Sequence, residues 1–559
     1  MQKMENNLRI IPLGGCEEVG RNMTVFEYGK DIVILDMGIQ FPEEDMPGIN
    51  YVIPNTKYLR GKEKNIRAII FSHGHMDHIG AAPLLLDRLG NPPIIGRPFT
   101  IELIKFRQED YSSGSSKKLR ITYVKNIKDE IKLGAFTIGF FQVDHAIMDA
   151  IGITLHTPSA TVIHPGDWMI EHKPIGRKEI KYNELSKLPK PTVLMLESIG
   201  STNTQKQITE KEMFDNLERL IKNAPARVII ATFSSQVQRV KQILEFASNI
   251  NKKVALDGFS MKMSVEIAKK LGYVKAGKGT IIPINKINDY PDRKIIVLCT
   301  GAQGEENAAL PRIVNGDHKF IKIKKSDTII FSSSVVPGNE RTVQRLKDNL
   351  YRLSDNVIHS DIMDVHTSGH SNIKDIQEII RQIEPTYFIP VYANHFMLKE
   401  AAKIAYGMGI AKDKIIIPDN GSVIEVNKQS IKVNKEKVPT NYIFVDGSGI
   451  GDVGEIVLND RRKLAENGMF VIVVAVDKKT GQVKGSPDII SRGFIYLRES
   501  KDLLAQTRRK VISIVNKTTG SDQAVNWTHV KDEIRNKIGQ FLFSKTERRP
   551  IILPVVIEV

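Results

Sequence analysis

The sequence predicts an α/β protein of several domains, and three observations lead to that prediction. The chain has 559 residues, which is more than one hydrophobic core usually holds, so two to four domains are expected. Short β-rich runs alternate with helical stretches such as Ile373–Ile383, and this alternation is typical of layered α/β folds. Histidine and aspartate follow several of the strand-like runs directly, which places metal-binding residue types at strand ends.

The first part of the chain reads as a meander of short strands followed by alternating helices and strands. Gly14 and Gly15 indicate a tight turn, because no Gly-x-Gly-x-x-Gly pattern follows them. A helix is predicted over Ala81–Leu89. The strand-like runs are Leu8–Pro12, Met23–Glu27, Asp31–Leu35, Pro92–Gly96, Phe136–Val143 and Thr161–His164.

A second alternation of helices and strands between about residues 208 and 353 predicts an inserted α/β domain. The predicted first domain therefore consists of residues 1–207 and 354–427, on either side of the insertion. Residues 428–445 are charged and break the pattern, so they are predicted to be a linker. A small α/β domain over residues 446–559 is predicted to follow, with a strand at Met469–Val476 and a helix near Leu503–Asn516.

The densest group of chemically active residues lies directly after the apolar run Ile69–Phe71. His73, His75, Asp77 and His78 fall within six positions there. Each of these side chains would need a polar partner if buried, and one metal ion could serve them all. Imidazole nitrogen and carboxylate oxygen without thiolate suit zinc or manganese. The alternative is a polar turn with solvated histidines.

Three later or earlier strand ends supply further candidates for the same site. His145 follows the strand-like run Phe136–Val143, and Asp167 follows Thr161–His164. Either residue alone is more often structural than a ligand, but together with the dense cluster they complete a ligand set for two ions. Asp36 follows Asp31–Leu35 and could orient a ligating histidine from behind, or be an ordinary turn aspartate.

The amino-acid composition indicates which class of partner and which cellular compartment to expect. The chain carries 80 Lys plus Arg against 64 Asp plus Glu, a net charge of +16, which favours a polyanionic partner such as nucleic acid. A merely basic protein is the alternative. Two cysteines outside any Cys-x-x-Cys pair fit a reducing cytoplasm. No apolar run approaches the roughly 20 residues that span a bilayer, so no membrane association is expected.

Across essentially the whole length, the sequence resembles the bacterial ribonuclease J family, which belongs to the β-CASP nucleases of the metallo-β-lactamase superfamily. The matching segments besides the histidine cluster are Leu13–Asn22, Leu35–Gly38, Phe41–Glu44, Ile53–Pro54, Ala231–Ser235, Thr300–Glu305, Val336–Glu340, Val445–Gly447, Gly451–Gly454, Pro487–Phe494 and Arg548–Pro550. The resemblance implies a metallo-β-lactamase αβ/βα sandwich, an inserted β-CASP domain at 208–353, and a small C-terminal α/β domain.

The resemblance also implies roles for the candidate residues. Two divalent ions, zinc or manganese, would be held in one site, and Asp77 would additionally orient the attacking water. His366 would be the general acid and Glu197 the carboxylate paired with it. The implied metal ligands are His73, His75 and His145 for one ion, Asp77 and His78 for the other, and Asp167 between them.

A pocket for a 5′-monophosphate is implied at two loops. Ser368, Gly369 and His370 form a small polar turn that could cradle a phosphate, and Ser235 of the inserted domain resembles a second contributor. Phe233 could stack on a base. The alternatives are turn serines bonded to their own backbone and a core phenylalanine.

One position departs from the family pattern. The family has Pro-Val-His with a metal-binding histidine, whereas this chain has Pro390, Val391 and Tyr392. Either His395 reaches the second ion from three positions further on, or that ion keeps a water there and binds more weakly.

The resulting functional expectation is a metal-dependent ribonuclease for single-stranded RNA, with 5′-to-3′ exonuclease and endonuclease modes. The alternatives are a catalytically weak paralogue that binds RNA or serves in assembly, and a small-molecule hydrolase of the same superfamily. The resemblance further suggests a homodimer or homotetramer, associated with a paralogue or other RNA-decay proteins.

Overall fold

The computed structural model describes residues 7–205, 207–336, 338–495, 500–519 and 525–559. Pro337, within one of the motifs quoted above, lies outside these residues. The chain divides into two compact units, one of Met1–Phe41 and Val52–Ile443, the other of Pro42–Tyr51 and Phe444–Val559. None of the helices in the described ranges is both long and apolar enough to cross a membrane.

The first unit contains two mixed sheets that face each other across a common core. The eight-stranded sheet has the strand order Ile431–Lys437, Ser422–Val426, Leu8–Gly14, Met23–Tyr28, Asp31–Leu35, Ile66–Ile70, Ile94–Gly96 and Ile121–Tyr123. The six-stranded sheet has the order Tyr387–Val391, Thr192–Glu197, Thr161–His164, Ile151–His156, Phe136–Gln142 and Ile131–Leu133. Val33 and Ala68 of the first sheet are buried in one cluster with Ile153, Val162 and Ile389 of the second, so the sheets form a sandwich.

Helices cover the outer face of the six-stranded sheet. Ile373–Ile383 begins with a capping box between Asn372 and Asp375 and buries Ile376 and Ile379. With the helix His395–Gly407, it packs against buried side chains of the sheet such as Leu194. The predicted αβ/βα sandwich is confirmed.

A third sheet, of six strands, forms the inserted domain. Its strand order is Ile281–Ile282, Lys253–Asp257, Ile295–Cys299, Val228–Ala231, Thr328–Phe331 and Asn356–Ile358. Every pairing in it is parallel, as expected for strands that are apolar throughout and covered by helices on both faces. Its helices are Glu210–Asn223, Val237–Asn249, Phe259–Lys270, Ala309–Val314 and Glu340–Leu353.

Two predicted boundaries differ from the structure. The strand Asn356–Ile358 belongs to the inserted sheet, so the insertion extends past residue 353. The segment 428–445, predicted as a linker, contains the strand Ile431–Lys437, which pairs antiparallel with Ser422–Val426. This strand lies at the edge of its sheet and exposes most of its side chains, which explains why its sequence is charged.

The second unit has a sheet of its own, in which Met469–Val476 lies between Asp488–Arg492 and Ile551–Glu558. The central strand alternates buried and half-buried residues, because one face packs against Lys501–Thr519 and Trp527–Thr546. The strand predicted at Met469–Val476 is confirmed residue for residue.

Shorter elements complete the described chain. The remaining helices are Met76–Ile79, Ala82–Leu85, Pro98–Tyr111 and Glu455–Asn467, and the remaining strands are Tyr51–Ile53, Ile443–Asp446 and Gly449–Ile450. The 3-10 turns are Lys57–Leu59, Glu63–Asn65, Asp87–Leu89, Ser115–Lys118, Asn183–Lys187, Ile199–Thr202, Ile284–Asp289, Asp292–Lys294 and Lys412–Lys414.

Candidate metal centre

The histidine-rich turn lies between the strand Ile66–Ile70 and the short helix Met76–Ile79. His75 is the N-cap of that helix, with extended backbone dihedrals. Gly74 approaches the next layer so closely that a Cβ there would lie 2.5 Å from Leu103 Cδ1. The turn therefore presents alternate side chains toward one point at the edge of the sandwich.

The first ligand group consists of three imidazoles and one carboxylate. His75 Nδ1 lies 3.0 Å from His73 Nε2 and 2.9 Å from His145 Nε2. Asp167 Oδ2 is 3.8 Å from His73 Nε2 and 3.7 Å from His145 Nε2. The ligand atoms of these four residues all lie within 4.8 Å of one another.

The protonation of these imidazoles suits metal binding. Burial lowers the pKa of His73 well below its ordinary value, and the neighbouring His78 and His145 lower it further. Burial likewise lowers the pKa of His75 to about 4 and that of His145 to about 3. The rings are therefore neutral near pH 7, which is the form that coordinates a metal.

The second ligand group is Asp77, His78 and Asp167, so the two groups share Asp167. His78 Nε2 lies 3.2 Å from Asp167 Oδ1 and 3.4 Å from Asp77 Oδ2. Burial acts to lower the pKa of His78, but Asp167, Asp77 and Asp36 together raise it well above its ordinary value. Three carboxylates thus surround one imidazole, with Asp77 and Asp167 on its Nε2 side and Asp36 at its Nδ1. An excess of buried carboxylates of this kind fits a divalent cation.

Asn22 contacts two residues of this second ligand group. Its Nδ2 lies 2.9 Å from His78 Nε2 and donates to Asp77 Oδ2 at 3.2 Å. The loop that carries Asn22 is fixed by backbone hydrogen bonds, because Asn22 N donates to Asp77 O at 3.0 Å. The second group is thus already engaged by a neutral amide, unlike the first.

Buried groups behind the ligands orient them. Asp36 Oδ2 lies 2.8 Å from His78 Nδ1 and accepts from Ser72 Oγ at 2.8 Å, as expected for a carboxylate that sets the ring of a ligand. Ser72 Oγ is also 3.0 Å from His73 Nδ1. On the other side, His145 Nδ1 donates to the Gly369 carbonyl at 2.6 Å, which directs its Nε2 toward the cluster.

Gly369 is predicted to be intolerant of a side chain. A Cβ at Gly369 would lie 2.6 Å from Ala146 Cβ and 3.3 Å from His145 Cε1, so Gly369→Ala displaces the His145 ring. We expect the affinity for the first ion to fall about 10–100-fold, as when an outer partner of a ligand is lost, measured by titration of the metal-free protein. Gly407→Ala, where the added Cβ meets no atom within 4 Å, is the matched control and should bind the ion like the wild type.

Glu197 lies beside His370 rather than beside His366. His370 Nδ1 is 3.7 Å from Glu197 Oε1 and 3.9 Å from Asp167 Oδ2. Burial acts to lower the pKa of His370, but Glu197 and then Asp167 raise it to about 9. His370 is therefore, after His78, a second imidazole at the cluster whose pKa neighbouring carboxylates raise. The sequence had placed it only in the phosphate pocket.

His366 has a different environment. Its Nδ1 lies 3.1 Å from Nη1 of the buried Arg239, and burial together with the Arg239 charge lowers its pKa well below the ordinary value. The structure thus places His366 beside Arg239, and Glu197 beside His370. The pairing expected between His366 and Glu197 is absent from the structure, because the loop turns between the two histidines.

Tyr392 is buried beside the second group, and His395 does not join it. The Tyr392 ring is 5.4 Å from that of His78, and its hydroxyl is 3.5 Å from Asp36 Oδ2. Burial raises the pKa of Tyr392 well above its ordinary value, so the phenol stays protonated. His395 begins the next helix and faces Asp419 at 4.0 Å. Of the two alternatives at this position, direct replacement by His395 is not what the structure shows.

The residues predicted to bind a 5′-phosphate lie on two segments, one at Ser368–His370 and the other at Phe233–Ser235. Ser368 Oγ accepts from His370 N at 3.0 Å, which is a local turn contact. Ser235 is half-buried at the start of the helix Val237–Asn249. Phe233 is also half-buried, and its ring lies 6.4 Å from that of His366.

Sequence reasoning assigned no role to four residues at the site. Ser72 and Arg239 carried no signal beyond their residue type, and Asn22 was noticed only within a motif. His164, buried 4.9 Å from the Tyr392 ring, was noted only as the end of a strand. Its Nδ1 accepts from Gly166 N at 3.0 Å.

Two neighbouring ligand groups at one edge of an αβ/βα sandwich define a metallohydrolase of the metallo-β-lactamase superfamily, and residues 17–169 match that superfamily. Residues 225–350 match the family described as "Ribonuclease J, beta-CASP domain", and residues 456–559 match "Ribonuclease J C-terminal domain". The chain belongs to the ribonuclease J family, whose members are metal-dependent nucleases.

Full-length relatives support this assignment. Ribonuclease J 1 of Streptococcus pyogenes serotype M3 is 36% identical over 99% of this chain and 98% of its own. Ribonuclease J2 of Bacillus subtilis is 33% identical over 100% of both chains. A solved structure of a protein of unknown function from Enterococcus faecalis V583 aligns with 75% of this chain and 100% of its own at a TM-score of 0.54 and 17% identity, a likeness of fold alone.

Proposed function

We propose that the protein hydrolyses phosphodiester bonds of single-stranded RNA with two divalent ions, zinc or manganese. The observation that carries the proposal is the pair of ligand groups that share Asp167, with the His370–Glu197 pair beside them. When bound, the ions would supply a nucleophilic hydroxide and neutralise charge on the phosphate under attack. His73, His75 and His145 would hold one ion with Asp167, and Asp77 and His78 the other.

The chain's own groups supply the remaining chemistry. His370, kept protonated by Glu197, would donate a proton from its ring to the departing sugar oxygen, which is unstable as an alkoxide. Asp77 would orient the attacking water through its carboxylate. Asp36 and the Gly369 carbonyl hold His78 and His145 in place, so the ligands are positioned before the substrate arrives.

A basic cleft supports a polyanionic substrate. A cavity of about 850 Å³ lies against His145, and four cations and two carboxylates line it. Arg97 pairs with Asp149 and Arg177 with Asp144, which leaves Lys125 and Lys241 as the lining cations outside these two pairs. Cationic side chains of this kind neutralise backbone phosphates regardless of sequence. The net charge of +16 acts in the same direction.

We further propose that cleavage proceeds 5′ to 3′ from 5′-monophosphate ends, with an endonuclease mode as well. Ser368 and Gly369 lie next to His370 in the chain, and Ser235 and Phe233 lie on the inserted domain, where Phe233 approaches His366. Hydroxyls and backbone N–H groups there would bind a terminal phosphate, and Phe233 would stack on a base.

One RNA prepared with 5′-triphosphate, 5′-monophosphate and 5′-hydroxyl ends tests the proposal, with manganese, zinc or magnesium added to metal-free protein. Mononucleotides from the 5′-monophosphate RNA are expected for the exonuclease mode. Internal fragments from all three RNAs are expected for the endonuclease mode. Binding without any product in every metal would contradict both modes.

The pH dependence should report the His370–Glu197 pair. Because His370 must be protonated to act as an acid, kcat is expected to fall as the pH rises through the pKa of this ring, which Glu197 raises against the effect of burial. Glu197→Gln removes the negative charge that raises this pKa, so the fall should move to lower pH by about one pH unit or more. The measurement is kcat from pH 6 to 10 at saturating RNA, and an unmoved alkaline limb would contradict the pairing.

A catalytically weak paralogue that binds RNA is the second candidate, and the second ligand group favours it. That group has three residues against four in the first, and Asn22 and Tyr392 surround it. An ion bound there would keep more water ligands and bind more weakly. The predicted homodimer or homotetramer, and association with a paralogue or other RNA-decay proteins, remain predictions.

Tyr392→His is expected to strengthen binding of the second ion. Tyr392 has a φ of +57°, a conformation that histidine adopts more readily than most residues, and an imidazole there would add a neutral donor next to His78. We expect the second dissociation constant to fall about 10–100-fold in a calorimetric titration with zinc or manganese. Tyr406→His, at a tyrosine that is 63% exposed, is the control, and equal constants for both variants would refute the effect.

A further inference from the structure

A second cluster of ligand-type side chains lies outside the centre described above. It consists of Glu17, His395 and Asp419, and one ligand atom of each lies within 4.8 Å of the others. Glu17 follows the strand Leu8–Gly14, His395 begins the helix His395–Gly407, and Asp419 precedes the strand Ser422–Val426. The cluster thus joins three distant parts of the chain.

The contacts that hold these three side chains leave ligand atoms that could bind an ion. His395 Nδ1 is 4.0 Å from Asp419 Oδ1, and this nitrogen is buried without a hydrogen-bond partner in the described part of the chain. The other oxygen, Asp419 Oδ2, binds Lys437 Nζ at 3.2 Å. Glu17 Oε2 accepts from Asn420 N at 3.3 Å. One ring nitrogen and two carboxylates therefore converge.

The two carboxylates repel each other in the absence of a cation. Burial raises the pKa of Glu17, and the charge of Asp419 and a hydrogen bond between the two carboxyl groups raise it further. Lys437 offsets part of this repulsion at Asp419 Oδ2, and a shared proton or a positive ion between the two carboxylates would offset the rest. His395 next to the pair adds a nitrogen donor, which a shared proton would not need.

We propose that Glu17, His395 and Asp419 bind a divalent transition-metal ion, zinc or manganese, as a structural site separate from the catalytic centre. One imidazole with two carboxylates and no thiolate suits these ions. Glu17 is five residues before Asn22, which contacts Asp77 and His78, and His395 is three residues after Tyr392. The ion would tie together the two segments that flank the second catalytic ligand group.

Neighbouring contacts already hold these segments in register. Cys16 N donates to Asn420 Oδ1 at 2.9 Å, and Cys16 and Ala393 form an isolated parallel bridge. An ion at the cluster would join the side chains of segments whose backbones are already paired, so ligand positions would need little rearrangement on binding.

Metal content of the full-length chain tests the site. Protein stripped with chelator is dialysed against a fixed free concentration of zinc or of manganese, and bound metal per chain is measured by mass spectrometry. We expect His395→Ala to retain one ion fewer than the wild type, and Glu17→Gln to weaken that same site at least tenfold in a calorimetric titration. His172→Ala is the matched control. His172 is 55% exposed, and its two neighbouring carboxylates lie at opposite ring nitrogens, Glu179 at 2.9 Å from Nδ1 and Asp375 at 4.0 Å from Nε2, so they do not converge on one nitrogen.

Equal metal content in His395→Ala, His172→Ala and the wild type would overturn the proposal and leave a shared proton as the state of the pair. The same comparison in a His75→Ala background separates this site from the catalytic centre. There the difference of one ion should persist although RNA cleavage is lost. A difference that disappears in that background would also overturn the proposal, since it would assign the lost ion to the catalytic centre.

Discussion

His75→Ala is expected to abolish metal-dependent cleavage of a 5′-monophosphorylated RNA. His75 Nδ1 contacts both other imidazoles of the first ligand group, at 3.0 and 2.9 Å, so its loss leaves that group with two imidazoles and one shared carboxylate. Loss of an outer partner alone costs about 10–100-fold, and we expect loss of a ligand to exceed this range. The measurement is the initial rate of product formation with manganese or zinc, compared at saturating RNA.

The control for His75→Ala is a demonstration that the fold is intact. The thermal unfolding midpoint of the metal-free variant should match that of metal-free wild type, because His75 contributes neutral ring contacts and no core packing. His172→Ala, at an exposed histidine, should cleave like the wild type. Undiminished cleavage by His75→Ala would refute the assignment of the catalytic centre.

His370→Gln is expected to lower kcat by about 10²–10⁴-fold, the usual contribution of a positioned general acid. Glutamine keeps polar contacts near Glu197 but cannot donate a proton at neutral pH. His366→Gln is the comparison, since His366 is a neutral ring against Arg239 and should change kcat by less than about tenfold. Single-turnover rates with saturating enzyme isolate the chemical step.

The two variants distinguish the acid that the structure indicates from the one that the sequence suggested. A larger loss in His366→Gln than in His370→Gln would restore His366 as the acid. An RNA with a leaving group of low pKa sharpens the comparison, because such a leaving group needs no proton. His370→Gln should then recover most of its rate if His370 acts only as an acid.

The dense part of the site could be predicted from the sequence because its ligands are neighbours in the chain. Spacing and strand context were enough to group His73, His75, Asp77 and His78. His145 and Asp167 could be added because each follows a strand, and strands that run in one direction bring their ends to the same edge of a sheet. The structure places all six ligand-type residues at that edge.

The acid could not be chosen from sequence, because His366 and His370 stand four positions apart on one loop. Which of them meets Glu197 depends on how that loop bends, and Arg239 of the inserted domain holds His366 elsewhere. His395 shows the same limit. His395 is only three positions beyond Tyr392, which suggests from the sequence that it could replace the missing metal ligand. However, a helix begins at His395, and the His395 ring faces Asp419.

The predicted linker at residues 428–445 differs from the structure for a related reason. A charged stretch with few apolar residues predicts a linker, whereas Ile431–Lys437 is an edge strand whose hydrogen bonds come from the backbone. Hydrophobic patterning reports burial of side chains and says little about an exposed edge.

The position of the strand Leu8–Gly14 within its sheet has a consequence for synthesis on the ribosome. The strand Leu8–Gly14 lies between Met23–Tyr28 and Ser422–Val426, so one of its neighbours emerges about 400 residues after it. At ~5–20 residues per second this delay is roughly 20–80 s. Throughout it, the nascent chain exposes the unpaired edge of the strand Leu8–Gly14. The strands of the parallel sheet between residues 228 and 358 emerge before this edge is paired. Cotranslational chaperone binding should therefore be strongest while the chain is being extended toward Ser422–Lys437.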